Sequence, residues 1–202
     1  MYNALLNFIS MHVFIVLFTI TSIISTLPIS LSERWGEKAW KRCFWLRQFC
    51  FISILIVIIN AVLWLWFPIP GLIWPISKDP LIPMILGIIM TIPFSMIMLK
   101  ALKDGGKEHG APYKETKMHN GIYQHIRHPG ALGEMPLYVI LGIFLNSWFL
   151  VIWMTLFILI YTPLAIHFEE KDLIKRFGEE YIEYKKQTPA LFPKPQKRSK
   201  TT

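Results

Sequence analysis

The 202 residues predict an all-α, multi-pass integral membrane protein with about five transmembrane helices, the last two joined as a tight helical hairpin. The chain is 53% hydrophobic and 14% aromatic with 17% charged residues, and its mean hydropathy is +0.43. That balance describes a membrane unit rather than a globule with a surface to solvate. Its apolar residues fall in long runs that can cross a hydrocarbon core of ~30 Å at ~1.5 Å per helical residue. Its Lys and Arg residues alternate with those runs, as a membrane topology requires.

The first span is expected from Leu5 to Leu27. No basic residue precedes Arg34 and no small-residue cleavage site follows a short apolar core, so a secretory signal is not expected. The second span runs from Phe44 to Phe67 and the third from Leu81 to Leu99. Between them Pro68, Pro70, Gly71, Pro75 and Pro80 cannot continue a helix and predict a short turn. Pro83 is tolerable in a first helical turn, whereas Pro93 predicts a kink. From Leu132 to His167 the chain is almost continuously apolar and broken only at Asn146-Ser147, a helix stop and cap. This gives a hairpin with arms Leu132 to Leu145 and Trp148 to His167, the first short enough to need tilting or burial in protein.

All of the 21 basic residues except Lys78 fall on one face: between spans one and two or, for Arg47, in the first turn of span two, between spans three and four, or after span five. The positive-inside rule makes that face cytoplasmic and places the amino terminus outside. The formal charge of +8 is explained by topology and anionic lipid, so no nucleic-acid partner is expected. The whole of 1–202 reads as a single domain, without internal repeats or low-complexity linkers. Cys43 and Cys50, on one helix, would lie about 10 Å apart, too far to bridge, and no CxxC pairing points to a metal.

Two polar segments, 100–131 and 168–202, emerge on the same face and can converge on one site. The first ends in Gly121-Ile122-Tyr123-Gln124-His125-Ile126-Arg127-His128-Pro129, charged groups held against an apolar hairpin. Ionisable groups there are costly and mark a functional site by default. The second opens on Glu169-Glu170 and continues through Leu173, Ile174, Phe177, Tyr181 and Tyr184, an apolar set of helical period that predicts a pair of amphipathic helices with Gly178 as a left-handed cap between them.

Gly121-x-Tyr123, Arg127-His128-Pro129, Gly133, Glu169-Glu170, Phe177-Gly178-x-x-Tyr181-x-x-Tyr184 and Leu191-Phe192-Pro193 stand in an order that resembles the integral-membrane methyltransferases, which include isoprenylcysteine carboxyl methyltransferase and the phospholipid methyltransferases. The resemblance covers roughly Lys100 to Pro193. It implies binding of S-adenosylmethionine, released as S-adenosylhomocysteine, with Tyr123, Arg127, His128, Pro129, Gly130, Ala131, Leu132, Glu169 and Glu170 as the cofactor-binding residues. It implies an amphiphilic or lipid-borne acceptor at the cytoplasmic boundary of a membrane, expected to be the cell membrane of a prokaryote. His167, with His125 as the alternative, is the candidate general base should the acceptor need deprotonation. Ala131 stands where the family carries a tyrosine, which implies a differently shaped pocket. Thr162-Pro163-Leu164-Ala165-Ile166 carries no arginine suited to a substrate carboxylate, which speaks against carboxyl methylation.

Three other readings compete. A sterol-reductase-like membrane enzyme would use a nicotinamide cofactor. A histidine-box metal enzyme would use His125, His128, His109, His119 and His167, which are fewer histidines than such a centre needs. A non-enzymatic membrane protein would use the polar segments to bind a partner or lipid head groups.

Overall fold

The computed structural model describes residues 1–106, 110, 112 and 121–192, and among them every regular element is helical. Seven α-helices follow in order: α1 (Tyr2–Ser25), α2 (Pro28–Trp35), α3 (Lys38–Leu63), α4 (Leu81–Gly105), α5 (Pro129–Phe144), α6 (Trp148–Phe177) and α7 (Glu179–Gln187), with a 3₁₀ turn at Gly121–Gln124. Helices α1, α3, α4 and α6 are long and apolar enough to cross a membrane, and α5 is a shorter apolar helix. The protein is therefore an all-α, multi-pass membrane protein. At 16 residues, α5 reaches about 24 Å, less than the ~30 Å hydrocarbon thickness. It packs against both α4 and α6, which accommodates the shortfall within protein.

Helix α1 packs on α3, and the two pairs meet through α6 around Met11, Ile15, Phe18, Val57, Met135, Leu150 and Met154. The outer faces are apolar as well: Val13, Val16 and Ile20 of α1 and Ile85, Ile88 and Ile92 of α4 are exposed, as a lipid-facing surface requires. Within the bundle Asn7 Nδ2 donates to the Asn60 carbonyl at 3.1 Å, and Asn60 Nδ2 donates to Ser10 Oγ at 2.9 Å. Polar groups away from water are paired in this way because an unmet donor is costly there.

The hairpin break falls where it was expected. Ser147 Oγ accepts from the Leu150 N–H at 3.3 Å, capping α6. Asn146 Oδ1 accepts from the Ile76 and Ser77 N–H groups, both at 2.9 Å, and so fastens the proline-rich turn to the hairpin.

Other boundaries differ from the sequence reading. The second helix begins at Lys38 and ends at Leu63, with Trp64–Phe67 in a turn; its basic amino-terminal residues extend the helix beyond the apolar run. Span five and the first amphipathic helix are one continuous element, α6, because no helix breaker intervenes between Pro163 and Phe177. Gly178 does end it at φ 62°, but with ψ −135°, outside the left-handed helical well, a conformation that suits only glycine. Helix α2 has no counterpart in the expected elements. It begins with a proline in its first turn and is capped from a distance, the Asp172 carboxylate accepting from Ser30 N at 2.7 Å and Ile29 N at 3.1 Å. Asp172 thus ties α2 to α6 at the end of the bundle where the basic residues gather.

Candidate functional site

At that basic end the chain between the 3₁₀ turn and α5 is irregular, and the segment after α7 is stitched along it. The Arg127 N–H donates to the Pro189 carbonyl at 2.9 Å and the His128 N–H to the Ala190 carbonyl at 3.0 Å. The Arg127 side chain completes the seam: Nη1 donates to the carbonyls of Lys185, at 3.0 Å, and of Thr188. Tyr184 Oη donates to the Tyr123 carbonyl at 2.5 Å. Residues 184–190 therefore form a strap that holds the Tyr123–His128 segment in place.

Beneath the strap lies a buried charge cluster. Glu170 Oε1 accepts from Arg127 Nε at 2.8 Å and lies 3.1 Å from His128 Nε2, while Lys185 Nζ sits 2.6 Å from Oε2. The other ring nitrogen of His128, Nδ1, is 3.2 Å from Glu169 Oε2. Burial works against charge on Glu170, but hydrogen bonds from His128, Lys185 and Arg127 hold its carboxyl down at about 2. Burial likewise opposes the charged imidazole of His128, yet its bonds to Glu169 and Glu170 raise it to about 9 from an ordinary 6.5. His128 is an imidazolium clamped between two carboxylates.

The sign of the linkage follows. A raised pKa means that the stabilisation from the imidazolium is complete below about 6.5 and is lost as pH rises through about 9. The thermal midpoint of the purified protein is expected to fall across that window, and the fall is expected to flatten in His128→Asn; an equal fall in both proteins would remove His128 as its cause. Glu170 contributes throughout the neutral range and weakens only in acid, as pH drops toward about 2.

The cluster forms one wall of a cavity of about 410 Å³. Of the residues assigned from the sequence, Tyr123, Arg127, His128, Gly130, Ala131 and Glu169 line it. Three do not. Pro129 is buried and starts α5, Leu132 turns away from the cavity one helical step beyond Ala131, and Glu170 sits behind the wall, where it organises Arg127 and His128. His167, the candidate base, lies off the cavity. Thr162, Ile166, Glu169 and Leu173 of α6 line the cavity at helical spacing, which leaves His167 on another face, exposed and in edge contact only with the Phe168 ring among its ring contacts. His125 is also exposed and lies off the cavity.

No group of three His, Cys, Asp or Glu residues among the described residues is arranged to hold a metal ion. His109, His119 and Pro193 fall outside the described residues.

The cavity continues past the cluster between the membrane helices, and the sequence reading assigned none of the polar residues found there. Glu134, on the first turns of α5, lines it and accepts from the Tyr138 hydroxyl. Arg47 of α3 lines it with Nε donating to Ser25 Oγ at 2.7 Å. Tyr161 Oη and Ser22 Oγ are 2.6 Å apart. Thr162 is only 7% exposed, and its hydroxyl has no hydrogen-bond partner among the described residues. A signal for two of these was present in the sequence: Glu134 is the one carboxylate in the run 132–145, and Arg47 stands inside the second apolar run. Asp104 was also missed. Its carboxylate accepts from the Ile122 N–H at 2.7 Å and so fixes the 3₁₀ turn to the end of α4.

No protein-family model matches the chain. The chain is 29% identical to the methanethiol S-methyltransferase of Crocosphaera subtropica, over 84% of its own length and 71% of the relative's. The resemblance read from the ordered motifs is thereby matched by a relative that is a methyltransferase.

Proposed function

We propose that this chain, similar to the integral-membrane methyltransferases in its motif order and in its relative, transfers a methyl group from S-adenosylmethionine to an apolar or amphiphilic nucleophile, with a thiol as the favoured acceptor class. The observation that carries the proposal is the Arg127–His128–Glu169 wall, clamped from behind by Glu170, of a cavity that lies at the basic end and continues between the apolar helices. By the positive-inside rule that end faces the cytoplasm, where a soluble donor is available. An acceptor dissolved in the bilayer can approach from the other side.

The residues present suit the donor. Glu169 and Asp104 offer carboxylates to an ammonium or to ribose hydroxyls, and Tyr123, Tyr181 and Tyr184 offer ring faces to adenine and to a sulfonium cation. The volume of about 410 Å³ falls within the usual range for cofactor sites. When bound, S-adenosylmethionine supplies an electrophilic methyl group, and S-adenosylhomocysteine remains. The protein's own contribution is alignment and exclusion of water: the strap closes over Arg127 and His128, and the clamped imidazolium fixes Glu169 for the donor.

Detergent-purified protein given methyl-labelled S-adenosylmethionine and a short thiol is expected to yield labelled thioether. A protein that binds the donor and methylates no member of a thiol, amine and carboxylate panel would refute the reading.

A further inference from the structure

The geometry points to a distinct acceptor site at the inner end of the cavity, in which Arg47 and Thr162 hold the acceptor's sulfur and Glu134 takes its proton. The inference rests on the methyl-transfer reading and adds to it the acceptor's position and the base.

Three observations converge. The first is the Thr162 hydroxyl, on a residue more than nine-tenths buried, lining the cavity with no hydrogen-bond partner among the described residues. A helical threonine ordinarily spends its hydroxyl on the carbonyl one turn back, as Thr155 does with Val151 at 2.7 Å. Leaving it unmet inside an apolar bundle is costly unless something else occupies the space beside it.

The second is Arg47. Its Nε is anchored on Ser25 Oγ, so the guanidinium plane is held, and the residue lines the cavity without an ion-pair partner among the described residues. The third is Glu134, a carboxylate on the same cavity with one hydrogen bond, from Tyr138, and within electrostatic reach of Arg47 although the two close no direct ion pair. A cation and a carboxylate that share a cavity inside an apolar bundle without meeting leave room for a polar atom between them. Around them the walls are Phe18, Cys50, Met135 and Tyr161, suited to a small apolar body.

The chemistry selects among acceptors. A carboxylate would meet Glu134 as a like charge, and an ammonium would meet Arg47 as one. A neutral thiol suffers neither penalty and has a proton to lose. In the step itself the acceptor's sulfur gives that proton to Glu134 and its lone pair forms the new S–CH₃ bond. The old bond from the methyl carbon to the donor's sulfur breaks with its electron pair remaining on that sulfur, whose positive charge is cancelled. Carboxylate and sulfonium enter; a carboxylic acid and two neutral thioethers leave, so charge balances. Arg47 and the Thr162 hydroxyl stabilise the negative charge that develops on the acceptor sulfur.

The test compares butanethiol, whose weakly acidic proton needs a base, with thiophenol, which also enters as the neutral thiol but whose far more acidic proton depends much less on one. Glu134→Gln is expected to cut kcat for butanethiol by about a hundredfold, the usual weight of a positioned base, while thiophenol turnover falls far less and calorimetric affinity for S-adenosylmethionine stays at the wild-type value. Thr162→Val, which removes a hydroxyl that bonds to nothing among the described residues, is expected to leave stability intact and raise KM for both thiols. Arg47→Met is expected to weaken thiophenol binding measured by calorimetry without any donor. Equal losses for the two thiols in Glu134→Gln, unchanged KM in Thr162→Val, or no thiophenol binding by the wild-type protein would each overturn the inference. Thiol binding by a folded protein that takes up no S-adenosylmethionine would overturn the methyl-transfer reading instead.

Discussion

Arg127→Ala is expected to lower affinity for S-adenosylmethionine about a hundredfold or more while leaving the membrane helices folded. The arginine side chain is largely buried and makes two kinds of bond at once, to the Glu170 carboxylate and to the Lys185 and Thr188 carbonyls. Removing one partner of a buried ion pair costs about 3–5 kcal/mol; Glu170 keeps His128 and Lys185 as partners, so the lower end of that range applies. At ~1.4 kcal/mol for each tenfold change, that is about two decades in any equilibrium that needs the closed strap. The core around Met11, Val57, Leu150 and Met154 lies elsewhere in the bundle and loses nothing. Calorimetric donor titration beside far-ultraviolet circular dichroism separates the two effects. Arg127→Lys is expected to recover only part of the loss, since an ammonium cannot serve Glu170 and two carbonyls in the same geometry. Wild-type donor affinity in a folded Arg127→Ala protein would remove the strap from the account.

The second large effect is expected at Gly133, where α5 crosses α4. A Cβ built there would stand 2.6 Å from Met98 N and 2.8 Å from Met98 Cα, and the obstacle is backbone that cannot swing aside. Small residues at such crossings let membrane helices approach closely. Gly133→Ala forces the pair apart at a cost of about 1–3 kcal/mol, and Gly133→Leu costs more. The damage should reach the site as well as the fold. The Asp104–Gly105 end of α4 and the Gly130–Ala131 start of α5 both line the cavity, so separating the helices widens it. Thermal unfolding in detergent and donor titration are both expected to worsen in the order glycine, alanine, leucine. An alanine variant as stable as wild type would mean that α4 and α5 do not meet this closely in the membrane.

The membrane architecture was legible because a bilayer imposes a simple rule on sequence, long apolar runs separated by basic loops, and Tyr2–Ser25, Leu81–Gly105 and the Asn146–Ser147 break obey it. The wall of the site was legible for a different reason. Arg127, His128 and Glu169 are charged residues beside apolar ones, and the ordered motif ties them together. What escaped depended on three-dimensional facing. His167 is close to Glu169 in sequence, yet helical spacing turns it away from the cavity that Ile166 and Glu169 line. The strap at Thr188–Ala190 pairs backbone groups of two irregular segments, which leaves no periodic signal. Glu134 and Arg47 were visible as charges in apolar runs, but only the packing of α1, α3, α5 and α6 brings them to one cavity.

The central claim is that the cavity behind the Arg127–His128–Glu169 wall is an S-adenosylmethionine site. Isothermal titration of the detergent-purified protein with S-adenosylmethionine, S-adenosylhomocysteine and reduced nicotinamide cofactor tests it most directly. Saturable binding of both adenosyl ligands, weakened in Arg127→Ala, is the expected result. Binding of the nicotinamide cofactor alone, or of none of the three by a folded sample, would contradict it.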